Sequence, residues 1–69
     1  MEQTISYDKT LYSPLVIQRA IEAYERIVDV KVIREDDSYI EVWFGERENL
    51  GQVVGEFNNF LIQLENQNG

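Results

Sequence analysis

The sequence predicts a small α+β domain in the order β-α-β-β-α: a three-stranded sheet with two helices packed on one face, a ferredoxin-like split β-α-β arrangement lacking its final strand. Three observations carry this. From Tyr39 to Phe44 the chain alternates, with Ile40, Val42 and Phe44 on one side and Tyr39, Glu41 and Trp43 on the other, the period of a strand with one buried face. Ser13-Pro14 opens a stretch in which Ile17, Ala20, Ile21, Tyr24, Ile27 and Val28 recur at helical spacing. Leu50, Val53, Val54, Phe57, Phe60, Leu61 and Leu64 form a second, wide stripe of the same period.

Taken in order, Thr4–Tyr7 is a short strand in which Ile5 and Tyr7 share a face, and Asp8–Tyr12 is a loop. Ser13 then caps free amides, and Pro14 takes the first-turn position where no donor is needed. The first helix runs from Pro14 to about Ile27, with Glu22 and Arg26 spaced for an ion pair on its outer side. Val28, Val30 and Val32 alternate with Asp29, Lys31 and Ile33, and the polar stretch Arg34–Ser38 turns this second strand into the Tyr39–Phe44 strand as an antiparallel hairpin. Gly45 ends the third strand, and Asn49 with Gln52 resembles a capping box that opens a second helix, Leu50 to about Glu65. Residues 66–69 form a frayed tail, leaving an ordered core of about 4–65 in one domain spanning 1–69.

The right-handed crossover rule puts the first helix on one face, and the second buries its stripe on that same face. The expected sheet order is 1-3-2, with the first strand parallel to the third and left as a bare edge. The core expected from these faces is Ile17, Ile21, Tyr24, Val30, Val32, Val42, Phe44, Phe57 and Leu61. The opposite sheet face stays open and carries Lys31, Ile33, Tyr39, Glu41 and Trp43.

Composition narrows the function. Sixty-nine residues lie near the lower limit at which a hydrophobic core supports folding without a staple or a partner, so self-association is one route to stability. A hydrophobic fraction of 43% marks a globular chain. Six basic against thirteen acidic residues give a net charge of −7, which repels phosphate backbones and anionic lipid, so neither nucleic acid nor membrane is an expected partner. With no cysteine, a polar start and no apolar run of bilayer length, the expected location is the cytoplasm.

Histidine and cysteine are both absent, removing the commonest general base, the commonest transition-metal ligands and the thiolate nucleophile. No catalytic residue, metal or cofactor is therefore expected. Glu35-Asp36-Asp37 reads as a solvated turn, the alternative being a divalent-cation site that lacks the spacing and glycine of a calcium loop. Gly51 and Gly55, four apart on the second helix, each cost on the order of 1 kcal/mol relative to alanine. They read as a close approach to the first helix or the sheet, with docking of a partner as the alternative. Asn58 and Asn59 lie on that helix's polar side, to be solvated or to bond a partner's backbone. Trp43, Tyr39 and Ile33, flanked by Lys31 and Glu41, are either scattered exposed apolar groups or the centre of a protein or peptide interface.

Leu11-Tyr12-Ser13 leading into the first helix, Ala23-Tyr24-Glu25-Arg26, the acidic hairpin and Gly55-Glu56-Phe57-Asn58-Asn59-Phe60-Leu61-Ile62 together resemble the small His-Xaa-Ser system protein family HxsD, over about Tyr7 to Leu64. That family accompanies radical SAM proteins and a repeat-containing peptide substrate. The resemblance implies a non-enzymatic accessory role in modifying a ribosomally made peptide, with the chemistry in the partner enzyme. The second expectation is a self-associating structural domain whose open sheet face is a homodimer interface.

Overall fold

The computed structural model describes residues 1–68, without the side chain of Asn68. The elements follow the expected order: β1 (Gln3–Asp8), α1 (Pro14–Tyr24), β2 (Val30–Glu35), β3 (Tyr39–Phe44) and α2 (Leu50–Asn68). The strands form one sheet in the order β1-β3-β2.

Both pairings in the sheet are antiparallel, so β1 does not run parallel to β3 as expected. The reason is the crossover. Helix α1 returns the chain to the end of the sheet where β1 began, so β1 and β2 run in one direction. The hairpin reverses β3, which enters between them and opposes both.

Helix α1 starts as its sequence dictates: Ser13, extended at φ −68° and ψ 148°, accepts the Val16 amide on its hydroxyl at 3.3 Å, and Pro14 follows. It ends at Tyr24, three residues short of the expected Ile27. The Tyr24 carbonyl accepts both the Ile27 and Val28 amides, a tight turn that swings Val28 into the core and leaves Ile27 exposed. Arg47 donates to the Ile27 carbonyl freed by this turn. Because Arg26 lies past the helix end, Glu22 is within hydrogen-bonding distance of Gln18 instead, at 3.4 Å.

Helix α2 begins without the expected capping box. Asn49 has φ 60°, a left-handed conformation that its short polar side chain tolerates, and it is the Asn49 carbonyl that accepts the Gln52 and Val53 amides. The helix continues past Glu65 to Asn68, and Gly69 of the expected tail lies outside the described residues. Two side chains hold this last part in place. Leu64 packs against the core, and a Glu65 oxygen accepts the Ser13 amide at 3.3 Å, setting a carboxylate at the positive end of α1.

The core lies between the helices and one sheet face. Phe57 is its centre: the rings of Phe44, Tyr24 and Tyr7 lie 5.0, 5.4 and 6.2 Å from it, the first two edge-on. Ile17, Ile21, Val42, Phe44, Phe57 and Leu61 are buried as expected, joined by Tyr7, Val16, Ala20, Val28, Ile40, Val53 and Val54. Tyr24 and Val30 are half-buried against them. Val32 departs from expectation at 39% exposed. It pairs with Val42 and so faces the helix side, but it stands on an edge strand beyond the helices' cover.

Candidate functional site

The register fixes which side chains lie on the face turned away from the helices. Ile5 pairs with Val42 and Tyr7 with Ile40 on the buried side, so Thr4, Ser6 and Asp8 of β1 point the other way, opposite Trp43, Glu41 and Tyr39 of β3. Across β3, Lys31 opposes Trp43 and Arg34 opposes Glu41. Three rows thus cross the open face: Thr4-Trp43-Lys31, Ser6-Glu41-Arg34 and Asp8-Tyr39.

Lys31, Tyr39, Glu41 and Trp43 come together as expected. Ile33 does not simply continue their row. The pairing skips from Val32–Val42 to Arg34–Glu41, making Ile33 the extra residue of a β-bulge, 49% exposed on the outermost strand. The bulge brings Arg34 onto the face, where simple alternation would have sent it to the helix side. Thr4 and Ser6 were readable from the alternation of Ile5 and Tyr7, whereas Arg34 had no sequence signal.

The face is less apolar than expected. Trp43 is half-buried: the Lys31 ammonium stands 5.2 Å from its ring centroid, and the indole lies along its own strand over Gly45. A Cβ on Gly45 would come within 3.0 Å of the indole and 2.8 Å of the Asp29 Cβ, so the absence of a side chain there gives the ring its seat. Beside the middle row lies a hollow of about 130 Å³ lined by Ser6, Arg34, Asp36, Tyr39 and Glu41. This is below the roughly 300–1,000 Å³ of small-molecule pockets and fits one side chain of a partner better.

Lys31 and Arg34 stand among Asp8 and Glu41, with Asp29 beside the indole and Asp36 at the hollow, so the face carries charges of both signs with carboxylates in excess. Two of the carboxylates at its hairpin end are held by their own loops. Asp36 accepts the Ser38 and Tyr39 amides, each at 2.8 Å, and these bonds keep its carboxyl below the usual range. Asp8 accepts the Thr10 amide and hydroxyl, also at 2.8 Å, with the same effect. Lys9 closes this end by bonding Glu35 at 2.8 Å and the Asp36 carbonyl at 2.6 Å. Glu35-Asp36-Asp37 is thus a hydrogen-bonded turn.

Two expectations about α2 are corrected. Among the described residues Gly51 and Gly55 make no close approach, since a Cβ at either meets nothing within 4 Å. Asn58 is not simply solvated: it accepts the hydroxyl of Tyr7 at 2.6 Å. Burial, and then the neighbouring Tyr12 ring, raise the Tyr7 pKa well above the ordinary tyrosine value. Among the described residues no helix is long and apolar enough to cross a membrane. Compared with protein-family models, with curated proteins and with solved structures, the chain has no match.

Proposed function

We propose that this chain is a non-enzymatic accessory protein that holds a polypeptide partner against its open sheet face. The observation behind this reading is that face itself, where two aromatic side chains and a side-chain-sized hollow sit among charges of both signs on a strongly acidic chain. Aromatic residues anchor protein contacts, and charges of both signs around them fix the orientation and choice of the partner. The residues of the contact are Trp43 and Tyr39 at the centre, with Lys31, Glu41 and Ile33 around them. The resemblance to HxsD proteins gives the partner its class: a radical SAM enzyme or the ribosomally made peptide that it modifies, with the chemistry in that enzyme.

Calorimetric titration of the purified chain with a radical SAM enzyme and a repeat-containing peptide of the kind that accompany HxsD proteins tests this. Binding to one of them is expected, and Trp43→Ala should weaken it by more than about 30-fold, the loss of a central aromatic anchor. Absence of binding to both, or binding unmoved by Trp43→Ala and Tyr39→Ala, overturns the proposal.

A further inference from the structure

The two edges of the sheet are unlike. Strand β2 is guarded by its bulge at Ile33 and by Lys31 and Arg34, the devices that keep a sheet edge from pairing with another chain. Strand β1 has none of them: Gln3–Asp8 pairs in unbroken register with β3 and contains no lysine, arginine or proline.

The ladder also tells which backbone groups of β1 point outward. Gly45 donates to the Asp29 carbonyl just beyond the paired ends of β3 and β2, and Lys9 donates to the Ser38 carbonyl. Alternation from both points turns the amides and carbonyls of Gln3, Ile5 and Tyr7 toward β3, and those of Thr4 and Ser6 away from the sheet.

Above this edge stands one flank of α2. Tyr7 of β1 bonds Asn58 on that flank, whereas the opposite flank packs Phe57 and Phe60 against Tyr24 of α1. At 100° per residue, Gly51, Gly55 and Ile62 fall on the Asn58 side. Gly51 lines a groove there with Gln3 of β1. Gly51 and Gly55 have open space before them, and Ile62 is 47% exposed. Gly51, Gly55, Asn58 and Ile62 are all uncharged, although 28% of the chain's residues are charged.

We propose that a second copy of this chain docks along β1, its own β1 running antiparallel, to give a six-stranded sheet in which the two α2 helices meet through their glycine rows. The occupant follows from the vertical relation of the two features. A lone peptide strand would pair with Thr4 and Ser6 and leave the helix flank bare, whereas a copy of the chain brings an identical helix at the matching height. Two-fold pairing centred on Ser6 sets Ile5 against the partner's Tyr7 and Thr4 against the partner's Asp8, with no like charges opposed. The glycines, which no contact among the described residues explains, then let the helices approach closely. This surface is separate from the open face, which the dimer would leave uncovered on both subunits.

Sedimentation velocity on the intact chain decides the matter. A dimer is expected at concentrations up to about 100 µM. Gly55→Lys should dissociate it by at least about tenfold, because the new side chain enters the helix contact, while the melt of the monomer holds, since the position is open and lysine is the better helix former. Ser6→Pro removes one outward amide and no rung of the β3 ladder, and should also yield monomer. In the wild type, the Thr4 and Ser6 amides should be slow to exchange. A monomer at all concentrations, or a dimer that survives Gly55→Lys, overturns the proposal; so does a dimer that Trp43→Ala abolishes, since it would lie on the open face. Partner titration and self-association are read separately, so either proposal can fail alone.

Discussion

The hydroxyl of Tyr7 donates to Oδ1 of Asn58 at 2.6 Å, tying the edge strand β1 to the middle of α2 across 51 residues of sequence. Tyr7→Phe keeps the ring against Phe57 and Tyr12 and deletes only this bond, so a loss of about 1 kcal/mol in chemical denaturation is expected. Leaving Asn58 without its donor accounts for part of it.

The same tyrosine sets an alkaline limit. Its folded pKa is raised by burial above the unfolded value of about 10, so the neutral hydroxyl contributes stability that is intact below that pH and lost as pH climbs toward the folded value. The melting temperature of the wild type should fall above about pH 10, and that of Tyr7→Phe should fall less steeply. Parallel curves would remove Tyr7 as the cause.

At the acid end the sign reverses. Asp36 is held below its ordinary pKa by the Ser38 and Tyr39 amides, so its carboxylate stabilises the turn at all pH values above the unfolded value of about 4, and this is lost as pH falls through the lower folded value. Asp36→Asn retains an acceptor for both amides, so its melting temperature should decline less than that of the wild type in acid. Asp36→Ala should be less stable at neutral pH as well.

Phe57 touches three aromatic rings from β1, α1 and β3, and is fully buried. Phe57→Ala should cost roughly 3–5 kcal/mol, comparable with the whole stability of so small a domain. Loss of the cooperative melt, followed by circular dichroism, is the expected result.

What could be read from the sequence, and what could not, divides along the range of the interactions. The Tyr39–Phe44 strand and the Ser13-Pro14 helix start are local patterns, and both stand at the expected residues. Four of the five expected face residues come together for the same reason, since alternation on β3 needs no knowledge of neighbours. The bulge at Ile33 is invisible because Val30-Lys31-Val32-Ile33 still alternates; only the pairing with Glu41 reveals the extra residue. Ile27 and Val28 keep helical spacing beyond Tyr24, hiding a turn that exists because Val28 must reach the core. The direction of β3 against β1 is a property of the assembled crossover. The surroundings of Gly51 and Gly55 depend on where α2 lies, which no spacing within the helix encodes.

Gly45 supplies the most discriminating substitution on the open face. It is not needed for a left-handed backbone; what it supplies is space, with the Asp29 Cβ just before β2 and the Trp43 indole both pressed against the place where a side chain would begin. Gly45→Ala would put a methyl group 2.8 Å from the Asp29 Cβ, an atom fixed to the backbone just before β2, and 3.0 Å from the indole, which can rotate. Overpacking of this kind costs about 1–3 kcal/mol. The indole should be displaced from its seat beside Lys31, which tryptophan fluorescence would register as a red shift and faster quenching by added iodide. In the double variant with Trp43→Ala, part of the lost stability should return, because the ring clash is gone, while the Asp29 contact remains. Full recovery would place the strain in the indole alone, and no recovery would place it in the β2–β3 backbone. An unchanged emission spectrum in Gly45→Ala would show that the indole does not rest on Gly45 in solution.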